Sequence, residues 1–153
     1  MKNVCVRRAT REDASTLVEF QCCLARESEG LELNHATVTR GVGAVLADTN
    51  KGCYWVAEER GRIVGCLLTV PEWSDWRNAT VLWLHSVYVV PEARRHGVFR
   101  ELYLSLKAAV EGFPGLAGIR LYVNKQNRAA QEAYEALGMS REHYHLYEWL
   151  KDR

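Results

Sequence analysis

The run from Pro91 to Val98, "PEARRHGV", joins a β-rich stretch, "SVYVV", to an amphipathic segment starting at Phe99. Its residue types suit the binding of an anion. Where a strand gives way to a helix, the first backbone N–H groups lack intrahelical acceptors and the helix dipole is positive, so a diphosphate resting there gathers several charge-assisted hydrogen bonds. Arg94, Arg95 and Arg100 add positive side chains, and Gly97 lets a phosphate approach the backbone with no Cβ in the way. The same turn also reads as an ordinary connection carrying solvated arginines. Spacing narrows the ligand: a GxxxxGK loop followed by Ser or Thr is absent, and so is GxGxxG after a first strand.

The elements that position this turn follow from pattern. Val4 to Arg8 reads as a first strand, and Thr10 with Asp13 approximates a capping box opening a helix through about Glu27, with Ala14, Leu17, Phe20 or Gln21, and Leu24 on its apolar stripe. Asn34 is the expected N-cap of a second helix carrying Val38, Val42, Val45 and Leu46, weakened by Gly41 and Gly43. "CYWVAEERGRIVGCLLTV" predicts a hairpin around Glu59-Arg60-Gly61, followed by a loop, "PEWSDWRNA". Thr80 to Val90 is apolar at both parities, as befits a strand in the middle of a covered sheet. Gly97 to about Glu111 predicts an amphipathic helix, "AGIRLYV" a buried strand, Asn127 the cap of a helix bearing Ala130, Ala133, Tyr134 and Leu137, and "EHYHLYEWL" a last strand. The strand–helix–strand order from Leu82 to Val123 predicts a parallel crossover, whereas the hairpin-linked first half should be antiparallel.

Bulk properties leave several classes unsupported. A chain of 153 residues, 48% hydrophobic, suits one domain spanning residues 1–153. Twenty basic against 19 acidic side chains leave a net charge of +1, which draws the protein toward neither nucleic acid nor a membrane surface. No apolar run of about 18 residues occurs, and "MKNVCVRRATRED" places charges where a secretory signal needs an apolar stretch, so a cytoplasmic protein is expected. The five cysteines form no CxxC pair and have no histidines at zinc-finger spacing; they read as reduced, mostly buried thiols, with no metal site.

The Gly97 turn after a fourth strand, followed about thirty residues later by "NRAAQEAYEALGM", resembles the GNAT superfamily of coenzyme A-dependent N-acetyltransferases. That family's diphosphate loop reads Arg/Gln-x-x-Gly-x-Gly/Ala, matched from Arg94 through His96, Gly97 and Val98 to Phe99, which stands where a small residue is usual. "VRRATREDA" and "YWVAEERGRIVG" resemble the family's opening strand and helix and its second hairpin, so the likeness covers nearly the whole chain. It implies an α/β (α+β) GNAT fold: a mixed central sheet of about six strands, antiparallel at first, with parallel fourth and fifth strands splayed to hold coenzyme A, and four flanking helices. It further implies acetyl-CoA as co-substrate, with Arg94, Arg95, His96, Gly97, Val98, Phe99 and Arg100 at its diphosphate. The pantetheine arm would pair with Val87, Tyr88 and Val89 and touch Asn127, and the Tyr134 hydroxyl would face the thioester sulfur.

The reaction so implied is transfer of an acetyl group to a primary amine of a small molecule by direct attack in a ternary complex. Tyr134 would protonate the departing thiolate, and a backbone N–H near Val89 would hold the thioester oxygen. His85, grouped by alternation with Val87 and Val89 in "LHSVYVV", reads equally as a proton acceptor or as a buried, hydrogen-bonded histidine. In the family the acceptor enters across the first two helices and the loop between the third and fourth strands. That region here holds Glu27, Glu29 and Glu32, which either attract a cationic amine or are simply solvated, and Glu72, Trp73, Asp75 and Trp76. The two tryptophans either wall a pocket or bury against a second subunit, and the edge of a last strand offers a homodimer contact. Two rival classes stand beside this reading: a non-catalytic acyl-CoA sensor, and an acetyltransferase acting on protein lysines or N-termini.

Overall fold

Capping and turn chemistry account for most elements of the computed structural model, which describes residues 3–151. The chain divides into two compact units, residues 1–120 and residues 121–153.

The first unit holds a five-stranded sheet in the order β1 (Val4–Arg8), β2 (Cys53–Glu59), β3 (Arg62–Ser74), β4 (Ala79–Val89) and β5 (Leu116–Arg120). The first four strands pair antiparallel, and β4 and β5 pair parallel across helix α3 (Val98–Gly112), as the alternation predicts. Helices α1 (Ala14–Glu29) and α2 (His35–Ala47) lie between β1 and β2 in the chain.

The cap signals act as expected. The Asp13 carboxylate accepts the Thr10 N–H at 2.7 Å ahead of α1, and the Asn34 side chain accepts the Thr37 N–H at 2.9 Å at the start of α2. Arg7 donates to both Asp13 oxygens, at 2.8 and 3.1 Å, and to Glu58 at 3.0 Å, tying β1, the start of α1 and β2 together. Arg60 and Gly61, both at positive φ (54° and 76°), make the two-residue turn that joins β2 to β3, the geometry whose twist matches that of the flanking strands.

Both sheet faces are covered. Tyr88 of β4 packs on Phe20 of α1 with ring centroids 5.0 Å apart. On the opposite face, Val98 of α3 approaches Gly65 so closely that a Cβ there would lie 3.1 Å from its Cγ1. The fully buried side chains Leu17, Val56, Cys66, Leu67, Leu102 and Leu106 come from α1, β2, β3 and α3. Covering on both sides is why β4 carries apolar residues at both parities.

The structure corrects three sequence expectations. "PEWS" is strand: beyond Thr69, which pairs with Cys53, β3 has no β2 partner, so Pro71 occupies an edge position where a missing N–H is tolerated, and only a short turn separates Ser74 from Ala79. The strand predicted over "AGIRLYV" stops at Arg120. The last predicted strand, "EHYHLYEWL", is not strand. The second unit contains only α4 (Arg128–Ala136) as regular structure among the described residues, so this aromatic stretch has no ladder within its unit to satisfy its backbone. Asn127 caps α4 by accepting the Ala130 N–H at 3.1 Å, and Gly138, at φ 88°, follows its end, both as expected.

Candidate active site

Strand β4 runs alongside β3 from Ala79 to Val89 but pairs with β5 only over Thr80 to Trp83. From Leu84 onward its edge away from β3 has left β5, and that edge leads directly into the Arg94–Gly97 turn. An extended ligand chain could add to such an edge through main-chain hydrogen bonds.

A bulge interrupts β4 on the way. His85 pairs with Leu68 and Tyr88 with Cys66, so β4 advances three residues while β3 advances two; Ser86, at φ 52°, is the left-handed residue within it. The Cys66 thiol, pushed up to about 12 by burial and so kept protonated, donates to the Ser86 carbonyl at 3.6 Å. The bulge overturns the alternation argument: His85 shares the sheet face of Tyr88, not that of Val87 and Val89. There its ring stacks on Trp83 at 6.3 Å and an interplanar angle of 15°. Burial lowers its pKa from the usual imidazole value, so the neutral, proton-accepting form prevails at neutral pH.

The turn itself could receive an anion. Pro91 opens a short 3-10 turn, Pro91–Ala93. Arg95 and Gly97 then adopt left-handed backbone, at φ 64° and 81°, and the first intrahelical bond of α3 runs from the Glu101 N–H to the Gly97 carbonyl at 3.0 Å. The amides of Val98, Phe99 and Arg100 thus precede the helical ladder at its positive end. Apart from Gly97 and its two chain neighbours, no atom lies within 4 Å of where a Gly97 Cβ would stand, which leaves room for a phosphate against the backbone. Val98 is buried and anchors the turn; Phe99 directs its ring at Tyr103, one helical turn on, at a centroid distance of 6.2 Å, so its bulk follows the helix. Arg95, His96 and Arg100 are exposed.

Arg94 is exposed as well, but its side chain is held in place. Its Nε donates to the Val89 carbonyl at 2.8 Å, its Nη2 to Glu27 at 2.6 Å, and its guanidinium lies 5.5 Å over the Tyr88 ring. Burial first, then the neighbouring Cys23 and Glu27, push the Tyr88 phenol up to about 12, and its hydroxyl donates to Glu27 at 3.4 Å. The Arg94–Glu27 contact spans 67 residues, and no local pattern marks it.

The remaining acceptor-side candidates scatter. Glu72 lies on β3 and accepts from the Trp83 indole at 2.8 Å and from Arg120 at 2.9 Å, so its charge is compensated. Glu32 pairs with Arg26 at 2.7 Å on the exposed surface, and Glu29, Trp73 and Trp76 are exposed. Asn127 and Tyr134 belong to the second unit, on the cap and body of α4, where burial raises the Tyr134 phenol above the ordinary tyrosine value. Among the described residues no cluster of His, Cys, Asp and Glu could hold a metal ion, and no helix is long and apolar enough to cross a membrane.

Comparison with known proteins bears on the family and the fold. The family model described as "Acetyltransferase (GNAT) family" matches residues 18–139. A solved structure described as a "possible acetyltransferase" from Clostridium difficile 630 is 39% identical, with 98% of this chain and 99% of that one covered and a TM-score of 0.92. A "predicted acetyltransferase with acetyl-CoA" from Clostridium acetobutylicum shares the fold at 22% identity, covering 99% and 96% of the two chains with a TM-score of 0.73. AAC(6')-Iy "in complex with bisubstrate analog CoA-S-monomethyl-acetylneamine" does so at 14%, covering 98% and 99%, with a TM-score of 0.74. The sequence matches none of the curated proteins with which it was compared.

Proposed function

The chain belongs to the GNAT acetyltransferase family, and from that premise we propose that it moves an acetyl group from acetyl-CoA to a primary amine of a small molecule by direct attack in a ternary complex. The observation that carries the proposal is the course of β4: an edge released by β5 after Trp83 leads straight into amides at the head of α3. A ligand with an amide-bearing arm and a diphosphate matches both parts, the arm along Val87, Tyr88 and Val89 and the diphosphate on the Arg95–Arg100 turn. These residues fit coenzyme A, whose thioester supplies the activated acetyl group.

The roles follow from amide formation. An ammonium must lose a proton before it attacks, the carbonyl oxygen needs a donor as charge builds on it, and the thiolate needs a proton. Neutral His85 takes the first role, directly or through water, on the face that also carries Trp83 and Glu72. A main-chain N–H of β4 near Val89 takes the second, and Tyr134, still protonated at neutral pH, takes the third. Asn127 contacts the cofactor arm, and the acceptor approaches along the β3–β4 face bearing Glu72.

The test is release of free thiol from acetyl-CoA with polyamines, amino acids, aminoglycosides and lysine-bearing peptides, beside calorimetry with coenzyme A at modest salt. Turnover with one of the small amines supports the proposal. Tight binding without turnover on any acceptor would make the protein an acyl-CoA sensor, and turnover on peptides alone a protein acetyltransferase. No coenzyme A uptake at all would remove the reading.

A further inference from the structure

We infer that Glu27 is a positioning residue for the anion-binding turn, holding it in shape through Arg94, rather than a carboxylate that receives the amine. Three observations converge on it. First, Glu27 lies in the last turn of α1, where the helix dipole disfavours a negative charge, so helix stability gives no reason for a carboxylate there. Second, both of its oxygens are engaged: Oε2 accepts from Arg94 Nη2 at 2.6 Å and Oε1 from the Tyr88 hydroxyl at 3.4 Å. Third, the guanidinium it holds also donates through Nε to the carbonyl of Val89, the last residue of β4.

The consequence lies in the next residue. Arg94 is extended, at φ −68° and ψ 151°, and Arg95 then turns to φ 64°, a conformation that is disfavoured for a side chain bearing a Cβ. Such a backbone persists only when its surroundings over-determine it. Glu27, Tyr88 and the Val89 carbonyl together fix the Arg94 side chain, and the residue so fixed starts the Arg95–Gly97 pair of left-handed turns that leads into the first amides of α3. A carboxylate on α1 thereby sets the shape of the surface that receives the diphosphate.

The inference rests on the acetyl-CoA reading above, and its test separates the two. Glu27→Gln keeps the size and the Tyr88 contact but removes the charge. It is expected to raise the dissociation constant for coenzyme A and the KM for acetyl-CoA about tenfold, with kcat at saturating acetyl-CoA and the KM for the amine unchanged. Arg94→Gln should weaken binding similarly, and the double variant should be no weaker than Arg94→Gln alone, because the two residues act as one unit. A raised KM for the amine with unchanged coenzyme A affinity would return Glu27 to the acceptor side and overturn the inference. A lower melting temperature with unchanged affinity would reduce the bridge to a structural one, and additive losses in the double variant would also refute the coupling. Failure of the wild-type chain to bind coenzyme A overturns the acetyl-CoA reading and this inference with it; wild-type binding that Glu27→Gln matches overturns only the inference.

Discussion

The two units differ in how they hold the residues proposed to act. In residues 1–120, α1, α2 and α3 close over both faces of the sheet, and every buried hydrophobic residue of the described chain lies there. In residues 121–153, α4 has no fully buried residue, and five large apolar side chains between Tyr144 and Leu150 are more than half exposed. The second unit is organised instead by local polar bonds: the Asn127 cap, Gln131 donating to the Asn124 and Lys125 carbonyls at 3.2 and 3.0 Å, and Arg141 donating to Gln131 at 2.9 Å. The turn proposed for the diphosphate is thus embedded in a packed framework, whereas the phenol proposed as proton donor rides on a helix whose unit lacks a core. Under the proposed function, recognition draws on tertiary packing, and chemistry on a locally specified element.

The sharpest way to break this contrast is to cut into each side. Leu106→Ala, at a fully buried position of α3, is expected to cost about 3 kcal/mol in denaturant unfolding. A loss under 1 kcal/mol would show that the framework is not what holds the turn. Next in size, Gly97→Glu and Tyr134→Phe should separate binding from turnover. The first places an anion and a Cβ where φ is 81°, and should weaken coenzyme A about 100-fold in calorimetry. The second should lower kcat about 100-fold with little change in coenzyme A affinity. Equal kcat in Tyr134→Phe and wild type would remove the phenol from the mechanism.

A smaller effect concerns acid stability. Arg7, with a lesser contribution from the Thr10 amide, holds the Asp13 carboxyl below the usual carboxylate range, despite its burial. A group depressed in the folded state stabilises above its unfolded pKa of about 3.9 and loses that stabilisation as pH falls through the folded value. Melting temperature should therefore decline below about pH 4, and Asp13→Asn should lose about 1.5 kcal/mol at neutral pH and flatten the acid limb. An unaltered acid limb would take Asp13 out of the framework. Smallest of all, Leu146→Ala, at an exposed position of the second unit, should stay within about 0.5 kcal/mol of wild type.

What the sequence made legible was whatever local chemistry decides. Asn34 and Asn127 cap, Arg60-Gly61 turns, and Gly97 starts α3, because each needs only its own side chain or φ. The misses share a different cause. Pro71-Glu72-Trp73 reads as loop because proline is a turn residue, yet on an edge stretch of β3 the missing N–H does no harm. "EHYHLYEWL" has strand composition, but composition supplies no partner strand. Ser86 carries no glycine signature although its φ is 52°, so the displacement of His85 from Val87 and Val89 could not be read from alternation. Glu27 and Arg94 meet across 67 residues, a pairing that only the packing of α1 on β4 creates.

The irregularity in β4 has one more implication. Ser86 and Val87 together stand opposite Leu67, so excising either would leave Leu68 facing His85 and Cys66 facing Tyr88 as before. Cross-strand matching thus has no use for the surplus peptide unit. A shortened strand would keep the architecture and lose only what that unit offers along the outer margin of β4, so a deletion there would distinguish what the scaffold requires from what its ligand requires.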